Sequence, residues 1–557
     1  MPRKNSNRGL KYIFVVGGVM SGVGKGVTAS SMGKILQSRG LCVTSIKIDP
    51  YVNVDAGTMN PIEHGEVFVL DDGTECDQDM GNYERFLGKD FTGANYITTG
   101  SIYLEVINKE RNLEFGGKCV SVVPYIPMEV IERIDHSAKI ANADVVLIEV
   151  GGTVGEYENI LFLEAIRILK LKKPNDVLVA LVSFIPSLEA GGNELKTKPT
   201  QHAVRNLNSV GIQPDIIFGR APFPLDEKRK EKLSLMCGIE KEDVISAPNA
   251  ESIYDIPLNF EKENLSGRLL KKLKLSPRGE DLKEWKNFCN KVHSSKKQIK
   301  IGVIGKYFDT GDFMLADSYI SVLEAIKHSS YTLGVKPVIE WINSGDFEKN
   351  KSLLNTLSAY DGIIVPGGFG NRGIEGKISA IKYCREKKIP YFGLCYGMQL
   401  ALIEYARNVL GFKNANTTEI DPKTKYPVID ILAEQKKLMA DKKYGGTMRL
   451  GSYPAKIIPK SIAYKAYGAY EIKERHRHRY EVNETYIENF EKGGVIFSGI
   501  SPDRRLMEIM ELSQKVHPFF VGTQFHPELK SRPLNPHPLF LEFIKASIKR
   551  SNTKNKK

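Results

Sequence analysis

Three groups of residues have the types and spacing to do chemistry. In PYFGLCYGMQ (Pro390 to Gln399) an apolar run passes into a helical one through Gly-x-Cys-x-Gly. Glycines on both sides of Cys395 permit the sharp, strained turn of a nucleophile elbow, and a helix N-terminus favours the thiolate. Further on, QFHPE (Gln524 to Glu528) follows another apolar run. In extended backbone residues i and i+2 share a side, so Glu528 can hold the His526 imidazole while His526 takes the thiol proton. VPGGFG (Val365 to Gly370) leaves a third run with N–H groups that, with the amide of Tyr396, suit an oxyanion hole. Each piece alone is weak, because buried cysteines are usually inert; together they describe acyl transfer to a thiol.

The second group is GGVMSGVGKGVTAS (Gly17 to Ser30), between a β-branched run and a helical stretch. Glycines let backbone N–H groups crowd a polyphosphate, the helix N-terminus adds its dipole, and Lys25 adds a point charge. The match to a P-loop is imperfect: five residues separate Gly18 from Gly24, and Gly26 stands where Ser or Thr normally binds magnesium. A metal would therefore need other ligands. Glu149, at the end of the run VVLI (Val145 to Ile148), and the acids Asp77 and Asp79 are placed to supply them, and hard oxygen ligands suit Mg²⁺. Read alone, an acidic stretch such as Asp71 to Asp79 is ordinary solvated surface.

The third group is cationic. KTKPTQ (Lys196 to Gln201) offers donors and no carboxylate, as a loop stiffened by Pro199 for a second anion. RHRHRY (Arg475 to Tyr480) alternates, so a strand would put arginines on one face and histidines on the other; that argues against one zinc site and for anion recognition on the arginine face.

Positioning these groups takes two α/β domains. Tyr12 to Val16 and Ile299 to Ile304 are short β-branched runs that empty into glycines, and each opens an alternation of apolar runs and amphipathic stretches. The rhythm predicts two doubly wound, mostly parallel sheets, with strands at Val43 to Ile48, Val145 to Val150, Val177 to Phe184, Gly362 to Val365, Tyr391 to Leu394 and Phe519 to Thr523. The expected division is a domain over 1–270, a linker over 271–298, a second domain over 299–548 and a solvated basic tail over 549–557.

Composition agrees with this. Among 557 residues, 41% hydrophobic and 26% charged exclude wholesale disorder. Lys plus Arg (79) exceeds Asp plus Glu (66), but much of the surplus sits at the two ends, so the body is mildly basic. That suits phosphorylated small molecules and argues against a dedicated nucleic-acid binder. Seven cysteines without CxxC pairing point to a reducing, cytoplasmic setting, and no apolar stretch reaches the roughly 20 residues of a membrane helix.

These segments, in this order, resemble the CTP synthase family from about residue 11 to 545. The specific strings are KIDPY (Lys47 to Tyr51), HGEVFVLDDG (His64 to Gly73), GNYERF (Gly81 to Phe86), EVGGTVGEYE (Glu149 to Glu158), KTKPTQH, GGTMRLG (Gly445 to Gly451) and ERHRHRYEVN (Glu474 to Asn483). The resemblance implies a P-loop-like synthetase domain and a class I glutaminase domain. Together they would aminate UTP to CTP with ATP and glutamine, through UTP phosphorylated at C4 and ammonia passed internally.

By that resemblance, Gly22, Val23, Gly24, Lys25, Gly26, Val27, Lys47 and Asp79 would bind ATP, with Asp79 and Glu149 holding Mg²⁺. UTP would meet Ser21, Lys196, Thr197, Lys198, Pro199, Thr200, Gln201 and Lys232. Glu156, Tyr157 and Glu158 would belong to the site where CTP inhibits. Cys395, His526 and Glu528 would be the triad, and Gly368, Tyr396, Gly397, Met398, Gln399, Glu419 and Arg479 would hold glutamine. GTP activation, a homotetramer and filament formation are also implied. The chain departs from the family at Tyr396 (often leucine), at Glu156-Tyr157 (often Asp-Ile) and at Pro248 to Ala250, on the adenine side. The alternatives are a glutamine-dependent amidoligase acting on a carboxylate, and a silent nucleotide-binding scaffold.

Overall fold

The computed structural model describes residues 9–59, 65–188, 194–279, 281–305, 316–368, 373–431 and 448–554. They gather into two compact units, Met1–Ala56 with Asp79–Cys289, and Gly57–Gln78 with Asn290–Lys557.

The first unit is built on seven strands: β1 (Lys11–Gly17), β2 (Val43–Asp49), β3 (Tyr96–Thr98), β4 (Val145–Val150), β5 (Val177–Phe184), β6 (Ile216–Ala221) and β7 (Val244–Pro248). They pair in the order β7-β6-β5-β1-β4-β2-β3, all parallel. Because helices cover both faces, β1 and β4 are buried along their whole length, which is why they read as unbroken apolar runs rather than alternating ones. Tyr12, Phe14, Ile46, Ile148 and Val179 belong to one core, and burying each such side chain contributes roughly 1.5–3 kcal/mol. Four helices matter for the site: α1 (Lys25–Ser38), α2 (Asp79–Leu87), α3 (Lys198–Ser209) and α4 (Glu227–Cys237).

The main sheet of the second unit has nine strands: β8 (Gln298–Gly305), β9 (Lys336–Asn343), β10 (Gly362–Val365), β11 (Tyr391–Leu394), β12 (Arg449–Ile457), β13 (Glu471–His478), β14 (Val495–Ile500), β15 (Met507–Leu512) and β16 (Phe520–Thr523). Their order is β9-β8-β10-β11-β16-β15-β14-β12-β13. From β9 to β16 the pairing is parallel, as the runs imply; from β16 to β13 it is antiparallel, so this α/β sheet is mixed.

Three boundaries differ from the sequence expectation. In the 271–298 stretch, where the sequence predicts a helical turn or two around Trp285, α5 (Lys283–Ser294) is a 12-residue helix, and the first unit runs on into it as far as Cys289. The Trp285 ring lies 5.0 Å from Phe86 and 6.0 Å from Tyr254, and its indole N–H donates to the Tyr254 carbonyl at 2.8 Å. Segment 57–78 packs with the second unit although the first surrounds it in sequence. The basic tail is mostly helix: α8 (Pro538–Lys554) continues because Phe543, Ile544, Ser547 and Ser551 keep one face buried. Arg550 and Lys554 there donate to the Tyr360 carbonyl at 3.2 and 2.7 Å, and residues 555–557 lie outside the described residues.

Candidate active sites of the two units

In the first unit the carboxyl ends of β1, β2 and β4 deliver the chemistry. Register places Val15 beside Glu149 and Glu149 beside Lys47. The loop after β1 ends at Gly24, held in the left-handed region (φ 84°), and α1 begins at Lys25. Lys25 is buried and donates to the Gly152 carbonyl at 2.9 Å; burial pulls its pKa down, against the pull of Glu149. Lys47 Nζ stands among carboxylates, 2.5 Å from Asp79, 2.9 Å from Glu149 and 3.7 Å from Asp49.

Burial pushes Glu149 up, with Asp79 adding to the rise, and Tyr83 donates to its other oxygen. Burial would push Asp79 up too, but Lys47 outweighs it and holds the group below its ordinary value. Asp49 is raised to about 6, chiefly by burial.

The missing P-loop hydroxyl has a structural replacement. A side chain at Gly26 would collide with the Asp79 carboxylate, which fills that space. Asp79 and Glu149, both held now by one ammonium, are a donor set that fits a small hard divalent cation. Among the described residues no group of three or more His, Cys, Asp or Glu is arranged to hold a metal unaided, so phosphate and water would complete the shell. Asp77, the other acid considered from sequence, falls in the second unit.

Lys196 to Gln201 is not the loop expected. Lys198 to Gln201 form the first turn of α3, with Pro199 in that turn, and Thr200 and Gln201 are buried. Ser183, at the end of β5, donates to Thr200 at 3.0 Å and leaves no room for a side chain at Gly18, which joins the phosphate loop to this helix start. Lys196 pairs with Glu194 at 2.6 Å, and Lys232 on α4 acts on the same carboxylate. Ser21 is exposed in the phosphate loop. Glu156 accepts from the Thr153 N–H and hydroxyl at 2.8 and 2.7 Å, while Tyr157 and Glu158 are exposed.

Beside Gly24 opens a cavity walled by Val27, Thr28, Pro248, Ile253, Ile256, Phe260 and Arg220. Arg220 is fixed by the Ala247 and Pro248 carbonyls at 2.9 and 3.0 Å. Sequence reasoning passed over Arg220; its place near the carboxyl end of a parallel strand was the available signal.

In the second unit, after α6 (Ile374–Glu386), β11 runs into α7 (Tyr396–Asn408) through Cys395, whose φ of 48° and ψ of −100° are the strained turn expected. The elbow glycines are required by space: a Cβ at Gly393 would meet the Gly397 backbone at 2.7 Å, and one at Gly397 would strike the Val365 carbonyl. His526 Nδ1 and Glu528 Oε1 are 2.7 Å apart, and the His526 backbone N–H donates to the Arg475 carbonyl on β13 at 2.8 Å. Burial would lower the His526 pKa, but the charges of Glu528 and Cys395 outweigh it and hold the imidazole well above its ordinary value. A cavity exposes this chemistry, lined by Cys395, His526, Glu528, Gly367, Gly368, Arg477 and Glu66.

The other glutamine candidates divide. Tyr396 and Met398 are core side chains, so only their backbone is available to a ligand. Glu419 and Arg479 both act on the Tyr480 phenol and do not line the cavity. Gln399 donates to the Tyr480 carbonyl at 2.8 Å and to Gln524 Oε1 at 3.2 Å. Gly370 lies outside the described residues, as do His64 and Gly445 to Thr447 of the family strings.

Strand β13 alternates as expected, but the anions its arginines recognise are the chain's own. Arg475 pairs with Asp71, and Arg477 with Glu75 at 2.7 Å, both carboxylates from segment 57–78. On the other face His476 meets Glu508 at 2.8 Å and His478 meets Glu481 at 2.6 Å, with Arg449 bridging the two glutamates.

A thiol elbow with its His–Glu pair on one unit and a phosphate loop with clustered carboxylates on the other define a glutamine-dependent amide-transferring ligase. Residues 11–275 match the family model "CTP synthase N-terminus" and 314–546 match "Glutamine amidotransferase class-I". A CTP synthase of Carboxydothermus hydrogenoformans is 52% identical over 97% of this chain and 99% of its own length. Those of Caldanaerobacter subterraneus subsp. tengcongensis and Methanocaldococcus jannaschii are each 50% identical over 97% of this chain and 98% of theirs. The chain belongs to the CTP synthase family and is a glutamine-dependent, CTP-forming ligase. Among the described residues no helix is long and apolar enough to cross a membrane.

Proposed function

We propose that the two units divide one reaction in the cytoplasm. In the second, Cys395 Sγ attacks the side-chain carbonyl of glutamine as His526 takes the thiol proton. His526 then returns that proton to the departing nitrogen, ammonia leaves, and water hydrolyses the thioester to glutamate. Glu528 orients the imidazole and stabilises its charge, while the Gly368 and Tyr396 amides receive the oxyanion.

In the first unit, residues Gly22 to Val27 hold the ATP phosphates, and the apolar cavity by Gly24 and Arg220 takes the base. Ser21, Lys196 to Gln201 and Lys232 hold UTP. Asp79 and Glu149 would hold magnesium, which supplies positive charge to the triphosphate. Lys25 and Lys47 steady the γ-phosphoryl group as it passes to the C4 oxygen of UTP, turning a poor leaving group into phosphate. Ammonia, mostly protonated in neutral water, arrives internally as the free base and displaces that phosphate. CTP inhibition through Glu156 to Glu158, activation by GTP, a homotetramer and filament formation complete this reading.

The observation that carries it is the elbow: Cys395 shares one cavity with the His526 imidazole, which Glu528 holds at 2.7 Å. The test is CTP formation followed by absorbance, with ATP, UTP, magnesium and glutamine omitted in turn. Cys395→Ala should abolish glutamine-dependent synthesis and keep synthesis from added ammonia. Loss of both would overturn the division of labour.

A further inference from the structure

Two glutamines lie behind the thiol, both buried: Gln524 is 0% exposed and Gln399 2%. Gln524 Nε2 is 3.6 Å from Cys395 Sγ, within reach of an N–H···S hydrogen bond. The end of each amide that faces each neighbour is not arbitrary. The Tyr480 carbonyl can only accept, so the amide reaching it at 2.8 Å must present its NH₂. That same Gln399 nitrogen lies 3.2 Å from the Gln524 side-chain oxygen, so the Gln524 oxygen faces Gln399 and its NH₂ faces the sulfur.

We propose that Gln524 is a further residue of the glutamine-cleaving centre, donating from its side-chain amide to Cys395 Sγ with its orientation fixed through Gln399 by the Tyr480 carbonyl. The assignment rests on Cys395 being the nucleophile. Its chemical sense is selective. The Arg477 carbonyl, 3.9 Å from Sγ, accepts and so favours the protonated thiol; the Gln524 N–H donates and so favours the thiolate. Among the described residues the other charged groups at the cavity are His526 and Glu528 beyond β16, Arg477 on β13 and Glu66 on segment 57–78. Among these, Gln524 adds a neutral donor that no pH change removes. A second consequence concerns the ligand: with both Nε2 hydrogens of Gln399 engaged, that side chain offers a bound molecule only its oxygen, an acceptor.

The test is the pH dependence of Cys395 alkylation by iodoacetamide in the full-length chain, read on the Cys395 peptide by mass spectrometry with the exposed Cys119 changed to serine. Gln524→Met keeps the shape and removes the donor. Its alkylation midpoint should rise by about one pH unit, with roughly tenfold slower labelling at neutral pH and a tenfold lower kcat for glutamine at a KM within about twofold. Gln524→Glu places a carboxylate against the sulfur and should raise the midpoint further. It decides the matter should the methionine variant not fold. Gln399→Leu, which never touches the sulfur, should move the midpoint the same way by freeing the amide. Unmoved midpoints, or equal shifts for methionine and glutamate, would make Gln524 a packing residue only. Failure of Cys395 as nucleophile would show separately, as glutamine-dependent synthesis surviving in Cys395→Ala.

Discussion

The Asp79 carboxylate fills the space that a side chain at Gly26 would need. A P-loop normally places a hydroxyl there, on the first turn of the helix after its lysine; here the oxygen comes from the start of a different helix, α2. Gly26→Ser would therefore supply a second oxygen where none fits. The expected outcome is at least a tenfold loss of CTP synthesis from glutamine and ammonia alike, with a stability cost of about 1–3 kcal/mol from overpacking. Initial rates with each nitrogen source and a thermal melt check it.

Lys47 is the cation that lets Asp79 and Glu149 face one another. Lys47→Met removes the ammonium that Asp79 and Glu149 share and should cost on the order of 3 kcal/mol in metal-free buffer. Adding magnesium should recover more of the melting temperature in the variant than in the parent. Equal magnesium responses would show that these acids do not attract the ion.

Glu508 offers a pH test on a buried ion pair of the second unit. Burial would raise its pKa, but His476 and Arg449 pull it down to about 2. A depressed carboxylate stabilises the fold above its unfolded pKa, near 4.5, and loses that contribution as pH falls toward 2. Glu508→Gln should cost on the order of 3 kcal/mol at pH 7, and the gap from the parent should narrow only below about pH 4.5. Melting curves of both proteins from pH 7 to 3 would show it.

What the sequence made legible follows range. The elbow, the phosphate loop and the buried strands are written within a few consecutive residues, so glycine spacing and β-branched runs sufficed to find Cys395, Lys25 and β4. Alternation in RHRHRY placed its arginines and histidines on opposite faces, as observed. What stayed hidden depends on partners far along the chain. Asp71 and Glu75 look like solvated acids until folding brings them to Arg475 and Arg477, some four hundred residues on. Gln524 adjoins a motif that was read, yet a buried glutamine shows its purpose only when the atom it faces is known. The basic end of the chain looked solvated because its charges outnumber the few apolar positions that keep α8 packed.

Segment 57–78 bears on how such a protein can be inherited. The polypeptide crosses from one unit to the other after Ala56, back after Gln78, and again after Cys289, so a single cut in the gene never separates the two folding units. A fragment beginning at 290 keeps Arg475, wholly buried, and leaves its counterion behind in the other piece. Shuffling a foreign glutaminase onto this synthetase by one recombination event would pair an arginine strand with acids selected for another, and the two activities are thereby bound to a common reading frame.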